Sequence, residues 1–510
     1  MSDGLLISGA RKLTRKNMFD RASRASSGLD RMGIGPGDAV ALMLRNDFPF
    51  FEATFAAGRL GAYALPINWH YVADEVGYLL QDSGAKALVI HADLLPQIEG
   101  AIPDSLPVLV VPTPSEIRLA YDIPAMHCSV PGNMTDWTTW LTKFDRWDRP
   151  ARKRPGAMLY TSGTTGRPKG VRREAYSQQQ LELNNRIARQ LYGLAPQASA
   201  VITGPMYHGG PNVFGLAFAA VSKLVVLQPK FDPAELLRMI DQYRITSLNL
   251  VPTMLVRLLG LPDDQKSGFD GSSLTHVAHA AAPCPPDVKQ AMIDWWGKVI
   301  IELYGGTETG PVAGCNAVEW LAHPGTVGKA FEGSTIRILG DDGTELPVGE
   351  TGEIYVQSTS NSNFTYHGKD KARGEIERAG LISLGDMGYL DEDGFLYIND
   401  RKQDMVISGG VNIYPAEVEA ALAAIDGVLD SAVFGIPDPE FGESLFAYVE
   451  PRTHHKLQEN ILRAELENRL ARYKIPRTIQ ITSNLPREES GKIFKRKLRE
   501  PFWQGHDKRV

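Results

Sequence analysis

Apolar side chains recur at helical spacing along residues 17–33, where Phe19, Ala22, Leu29 and Met32 fall on one face and Gly33 ends the run. A short unbroken apolar run, Val40–Leu44, predicts a buried strand. Phe50–Leu60 predicts a helix, with Pro49 well placed at its start because a first-turn N–H has no partner to lose. Glu75–Leu80 and Lys86–Ile90 repeat the order helix then strand. Further on, Ser177–Leu191 predicts a polar helix, Val201–Pro205 a strand, Ala234–Tyr243 an amphipathic helix, Ser247–Val251 a strand, Thr253–Leu261 a helix and Val299–Tyr304 a strand. Such alternation argues for an α/β chain with mainly parallel sheets.

The pattern changes twice. Residues 112–155 are rich in Pro and Trp, have no clear period, and are expected to form a surface connection. Over 333–399 the runs Ile336–Leu339, Glu353–Ser358 and Phe395–Asn399 are strand-like and separated by DDG and EDG turns, which predicts hairpins and a small β subdomain. The last hundred residues read as a separate α+β unit. It comprises helices at Ala416–Ala424 and Asn460–Arg472 and strands at Ser431–Ile436, Phe446–Pro451 and Thr478–Thr482.

Composition narrows the function classes. A chain of 510 residues, 43% hydrophobic, can bury a sizeable core and divides into two or more domains. A net charge of -6 with both signs interspersed gives no reason to expect nucleic acid as a partner. The three cysteines, Cys128, Cys284 and Cys315, show neither CxxC nor metal-like spacing, which fits a reducing cytoplasm without disulfides. No apolar run near twenty residues is present, so no membrane span is expected, and the N-terminus lacks a signal-peptide core.

The densest chemistry lies in YTSGTTGRPKGV, Tyr160–Val171. Thr161, Ser162, Thr164 and Thr165 supply hydroxyl donors, Gly163, Gly166 and Gly170 permit close backbone approach, and Arg167 and Lys169 add positive charge. Successive N–H groups in such a loop make a concavity suited to a polyphosphate, although a solvated turn explains the same composition. It is not a Walker loop: Pro168 replaces the second glycine and Gly170 the hydroxyl position. As a string it resembles the phosphate loop of the adenylate-forming superfamily, which includes acyl-CoA synthetases, 4-coumarate–CoA ligases, peptide adenylation domains and luciferases. Four further strings agree in order and spacing with the acyl-CoA synthetase branch, and the resemblance covers nearly the whole chain.

What the resemblance implies can be placed residue by residue. Thr161, Ser162, Gly163, Thr164, Thr165, Gly166, Lys169 and Thr307 are expected to hold the ATP phosphates, and Glu308 of YGGTETG the magnesium ion. Magnesium takes one or two carboxylates plus phosphate oxygens rather than a full protein cage. Ala281, Ala282 and Pro283 form a small-residue turn beside adenine, Tyr304 offers an aromatic face, and Asp386 and Arg401 contact the ribose. His208 of PMYHGGP is a loop histidine by spacing alone; the resemblance makes it a gate to the acid pocket and part of the catalytic set. The pocket is completed by Gly209, Gly305, Gly306 and Val312. Lys492 could belong to a basic tail with Lys495, Arg496, Lys497 and Arg499, but resembles the catalytic lysine that neutralises charge between carboxylate and α-phosphate. Gly409, Gly410, Phe441, Tyr473 and Arg477 are expected along the coenzyme A path. Gln403 stands at the hinge, where the family usually has Asp or Lys.

The implied architecture is a large N-terminal domain over 1–400, a hinge at 401–403 and a mobile C-terminal domain over 404–510. The implied activity is an AMP-forming acid–CoA ligase using ATP, Mg2+ and coenzyme A. The segment HGGPNVFGLAF, Leu248–Val251 and Gly305–Val312 are expected to wall the acid pocket. They contain no Lys or Arg, which points to a hydrophobic monocarboxylic acid. The small residues Gly209, Gly210, Gly215 and Ala217 point to a fatty or other bulky acid. The alternatives are an aryl- or hydroxycinnamate–CoA ligase, a ligase loading a carrier protein, an oxidative light-emitting relative, and a non-catalytic nucleotide- or acyl-binding module. The oligomeric state is not legible in the residues; relatives of this kind are often homodimers.

Overall fold

Alternation along the parallel strands decides the layering. In the strand Ser199–Ile202, Ala200 and Ile202 join one apolar cluster while Val201 faces another. In Ala39–Met43, Val40 and Leu42 join that same first cluster while Ala41 and Met43 face a third. A period of two puts successive side chains on opposite faces. Two sheets therefore share a middle layer of helices, Arg15–Arg31, Phe48–Arg59, Gln178–Tyr192 and Gly209–Val221, and each carries further helices outside. The computed structural model describes residues 3–161, 168–402, 404–408, 411–487 and 493–504.

The larger sheet has nine strands, ordered 329–330, 310–316, 300–306, 276–279, 247–250, 199–202, 224–227, 5–8 and 11–14. Its interior pairs are parallel, and the pairings at its two ends are antiparallel. The second sheet, 63–66, 39–43, 87–91, 108–111 and 135–136, is wholly parallel. The expected small β subdomain is a five-stranded sheet of 334–339, 352–358, 377–378, 381–390 and 396–401. Another five-stranded sheet, 406–408, 411–413, 428–438, 442–451 and 478–481, carries helices Pro415–Ala423, Glu459–Glu467 and Lys495–Trp503. The chain is thus α/β, with parallel sheets in its large N-terminal part and a smaller C-terminal unit.

Two expectations are corrected. Residues 112–155 are not merely a surface connection. Thr135–Asp136 extends the second sheet, and Trp137–Leu141 is a helix whose Trp137 is fully buried. Trp137 stacks on Trp140 and donates its indole N–H to Glu52 at 2.8 Å. Elements this short are held by aromatic anchors rather than by a repeating face. The helix expected over Asn460–Arg472 ends at Glu467, and Arg472–Lys474 forms a tighter separate turn.

Candidate active site

The phosphate-loop string begins and ends in a ladder. Leu159–Thr161 and Lys169–Arg173 pair antiparallel, with Leu159 opposite Val171 and Thr161 opposite Lys169. Ser162, Gly163, Thr164, Thr165 and Gly166 lie outside the described residues. Both shoulders are anchored. Tyr160 donates to Asp82 at 2.7 Å, and Tyr78 donates to the Pro168 carbonyl at 3.0 Å. Burial first, then the hydrogen bond to Asp82, pushes the Tyr160 phenol far above its ordinary range, so it remains a donor. A third strand, Phe364–Tyr366, adds to the outgoing side, with Tyr366 opposite Val171.

Glu308 stands over this hairpin. Its Oε1 accepts hydrogen bonds from Thr161 Oγ1 at 3.3 Å and from the Tyr366 hydroxyl at 3.0 Å. Lys169 Nζ lies 5.4 Å from the Tyr366 ring centre. Arg173, reaching back from the same ladder, donates to the Thr307 carbonyl at 2.8 Å and so ties YGGTETG to the phosphate hairpin. Gly305 has to be glycine, because a Cβ there would overlap the Gly310 carbonyl across the 300–306/310–316 hairpin. Among the described residues Glu308 makes no ion pair, and no three His, Cys, Asp or Glu side chains gather as a metal cluster. A carboxylate fixed by two hydroxyls fits one ligand to a magnesium ion whose other ligands would come from phosphate and water.

The two residues expected at the ribose meet because of strand register. Asp386 and Arg401 are opposed in the 381–390/396–401 ladder, and Arg401 Nε lies 3.5 Å from Asp386 Oδ1. Tyr304, 8% exposed and packed in the core beneath, donates its hydroxyl to Asp386 Oδ2 at 2.8 Å. What Tyr304 can offer a purine is therefore the exposed remainder of its ring. Val312 is corrected: it is 0% exposed among Tyr304, Ala313, Ile336 and Ile354, and does not line an acid pocket.

The small-residue turn follows strand His276–His279. Ala281 has φ of 75°, a left-handed conformation that costs a non-glycine residue about 1–3 kcal/mol and is held only by its surroundings. Beneath it, Lys289 reaches Glu302 at 2.5 Å in the core. Burial outweighs that pairing and raises the Glu302 carboxyl, while burial and the Lys289 charge keep His279 neutral. Burial likewise raises the Cys284 thiol, and that of Cys315 to about 12, so neither is an activated nucleophile.

His208 occupies the N-cap position of helix Gly209–Val221, its ring 4.4 Å from that of Tyr207. Gly209 and Gly210 face Leu159 and Asn249, where an added Cβ would stand 3.3 Å from each. Gly215 is used differently from the expectation: its missing side chain is filled by Ile202 and Met206, so it contributes packing rather than pocket volume. In the C-terminal unit Arg477 stacks over Phe441 at 4.5 Å and pairs with Asp438 at 2.8 Å, while Tyr473 is 56% exposed. Gln403, Gly409, Gly410 and Lys492 lie outside the described residues. Tyr366 and Arg173 were not foreseen, because a lone tyrosine or arginine carries no motif of its own.

Comparison with known proteins agrees with this layout. The family model described as AMP-binding enzyme matches residues 3–364, and that of the AMP-binding enzyme C-terminal domain matches 417–492. The feruloyl-CoA synthase of Amycolatopsis is 32% identical, over 97% of this chain and 95% of that protein. The indoleacetate–CoA ligase of Aromatoleum aromaticum is 31% identical, over 96% and 93%. The crystal structure of ATP-bound MatB from Rhodopseudomonas palustris superposes with a TM-score of 0.82 at 27% identity, covering 99% of this chain and 97% of that one. The chain belongs to the AMP-binding enzyme family, in its adenylate-forming acyl-CoA synthetase branch.

Proposed function

We propose that the chain is an AMP-forming ligase joining a hydrophobic monocarboxylic acid, of the fatty or another bulky kind, to coenzyme A. The observation that carries this reading is the convergence on one face of Glu308, Thr161 and Lys169 at the phosphate hairpin. The pair Asp386–Arg401 is joined by the Tyr304 hydroxyl to strand Ile300–Gly306, which leads into Thr307 and Glu308.

In the first half-reaction a carboxylate oxygen of the acid forms a bond to the α-phosphorus of ATP. The bond from that phosphorus to the bridging oxygen breaks, and pyrophosphate leaves. Thr161, Lys169 and the intervening loop hold the phosphates, Asp386 and Arg401 accept the ribose hydroxyls or donate to them, and Lys492 neutralises the two anions that must meet. A magnesium ion held by Glu308 and the phosphates would supply further charge neutralisation. In the second half-reaction the coenzyme A sulfur bonds to the acyl carbon, its proton is lost and AMP leaves. Gly409, Gly410, Phe441, Tyr473 and Arg477 are assigned to that path.

We place the swivel between the two halves at residues 401–403. Arg401 ends the last strand of the small β sheet, and Val406 begins a strand of the next one. His208, Gly209, Gly210 and the apolar helix behind them are assigned to the acid. An aryl acid is the second reading, favoured by relatives named for feruloyl-CoA and indoleacetate at 32% and 31% identity.

The test is pyrophosphate release from Mg-ATP across fatty, aryl and dicarboxylic acids, with and without coenzyme A. Coenzyme A-dependent turnover confined to hydrophobic monocarboxylic acids is expected. Release indifferent to coenzyme A would point to a carrier-protein ligase, and turnover only with dicarboxylic acids would overturn the substrate assignment.

A further inference from the structure

Glu308 carries two hydrogen bonds on the same oxygen. Oε1 accepts from Thr161 at 3.3 Å and from Tyr366 at 3.0 Å, which uses both of its lone pairs, while Oε2 accepts none from the described residues. Tyr366 is 6% exposed, sits at the end of strand Phe364–Tyr366 and packs edge-on against Phe364. It is fixed by ladder pairing to Val171, so the hydroxyl that reaches Glu308 is positioned by the same hairpin that frames the phosphate loop. Burial, then the nearby carboxylate, keeps the phenol protonated.

We propose that Tyr366 is a positioning residue for the adenylation step: by holding Oε1 it turns Oε2 of Glu308 toward the cation that accompanies the ATP phosphates. This rests on the reading of Glu308 as the metal-holding carboxylate. An unpinned glutamate distributes itself over several rotamers, and freezing them in advance removes that entropy loss from cation binding. Partners that orient a metal ligand commonly govern affinity without touching the metal. Thr161 shares the task at greater distance, and it also flanks the loop. Tyr366 reaches Glu308 from outside the phosphate motif, and its change to Phe keeps the ring that Lys169 faces at 5.4 Å.

The experiment titrates Mn2+ by electron paramagnetic resonance onto the full chain with a non-hydrolysable ATP analogue, for the parent, Tyr366→Phe, Glu308→Gln and the double variant. Tyr366→Phe keeps the ring and should weaken Mn2+ binding about ten- to a hundredfold. It should raise the Mg2+ concentration for half-maximal pyrophosphate release in parallel, with the KM for the acid and the thermal midpoint unchanged. Glu308→Gln should weaken binding at least as much, and adding Tyr366→Phe to it should change nothing more, since one acts through the other. Parent-like Mn2+ affinity in Tyr366→Phe, with loss in Glu308→Gln, would overturn the inference and leave the reading of Glu308 standing. Parent-like affinity in Glu308→Gln would overturn that reading and the inference with it. Additive losses in the double variant would show that Tyr366 acts by another route.

Discussion

Gly305 is a position where one missing carbon shapes the site. It lies at the bulge between strands 300–306 and 310–316, against the Gly310 carbonyl. Gly305→Ala should lower stability by about 1–3 kcal/mol through overpacking. It should also displace Thr307 and Glu308, raising the KM for ATP more than that for the acid, as steady-state kinetics with each substrate varied would register. An equal rise in both would mean that the bulge does not position the nucleotide side. Thr161, Glu308 and Asp386 were picked out because each sits in a string that matches the family's motifs, where composition alone would fit a solvated turn equally well. Tyr366 was not, since its partner Glu308 lies 58 residues away and nothing around it departs from a common strand. Val312 misled for the converse reason. Its place beside the YGGTETG string suggested the pocket, but strand alternation turns it into the core.

Helices long enough to complete a period were legible, and those of five or six residues were not. Trp137–Leu141 and Ser115–Ala120 never complete two turns, so their buried face does not repeat in the sequence. Helix Phe48–Arg59 is a contrasting case, announced by Pro49 and started by Asp47, whose side chain accepts from the Phe48 N–H. Asp47 also accepts from Arg11 at 2.6 Å and from His91 Nε2 at 3.2 Å, the His91 Nδ1 being taken up by the Arg45 N–H. Burial alone would raise its carboxyl, but the His91 and Arg11 interactions outweigh it and hold the group below its ordinary 3.8. A depressed carboxyl stabilises the fold above the unfolded value and ceases to do so as acid protonates it. Asp47→Asn should therefore lower stability by about 1–3 kcal/mol at pH 7, with the partly exposed Arg11 limiting the loss. The gap to the parent in urea unfolding should close below pH 3.8. A gap that persists there would assign the effect to shape rather than charge.

At the scale of the whole molecule the C-terminal unit is joined to the rest through a short stretch and a polar contact, Asp400 Oδ2 accepting from the Ala416 N–H at 2.7 Å. If rotation of that unit separates the half-reactions, Lys492→Ala should abolish adenylate formation. Thioester formation from supplied acyl-adenylate should be left largely intact. Rapid-quench assays of each half would show it, and equal loss in both would remove Lys492 from the first step. The order of the chain carries one more consequence. The strand pair 159–161/169–173 takes its third strand from 364–366, and the pair proposed for the ribose comes from 386 and 401. Pairings of such long sequence separation form late and leave edges open meanwhile. During synthesis, then, the stretch proposed for the phosphates emerges from the ribosome well before the strand that completes its sheet. If these residues hold ATP as proposed, its seat is complete only once Arg401 has been translated, so nucleotide would act on the nearly finished protein rather than as an early template for folding.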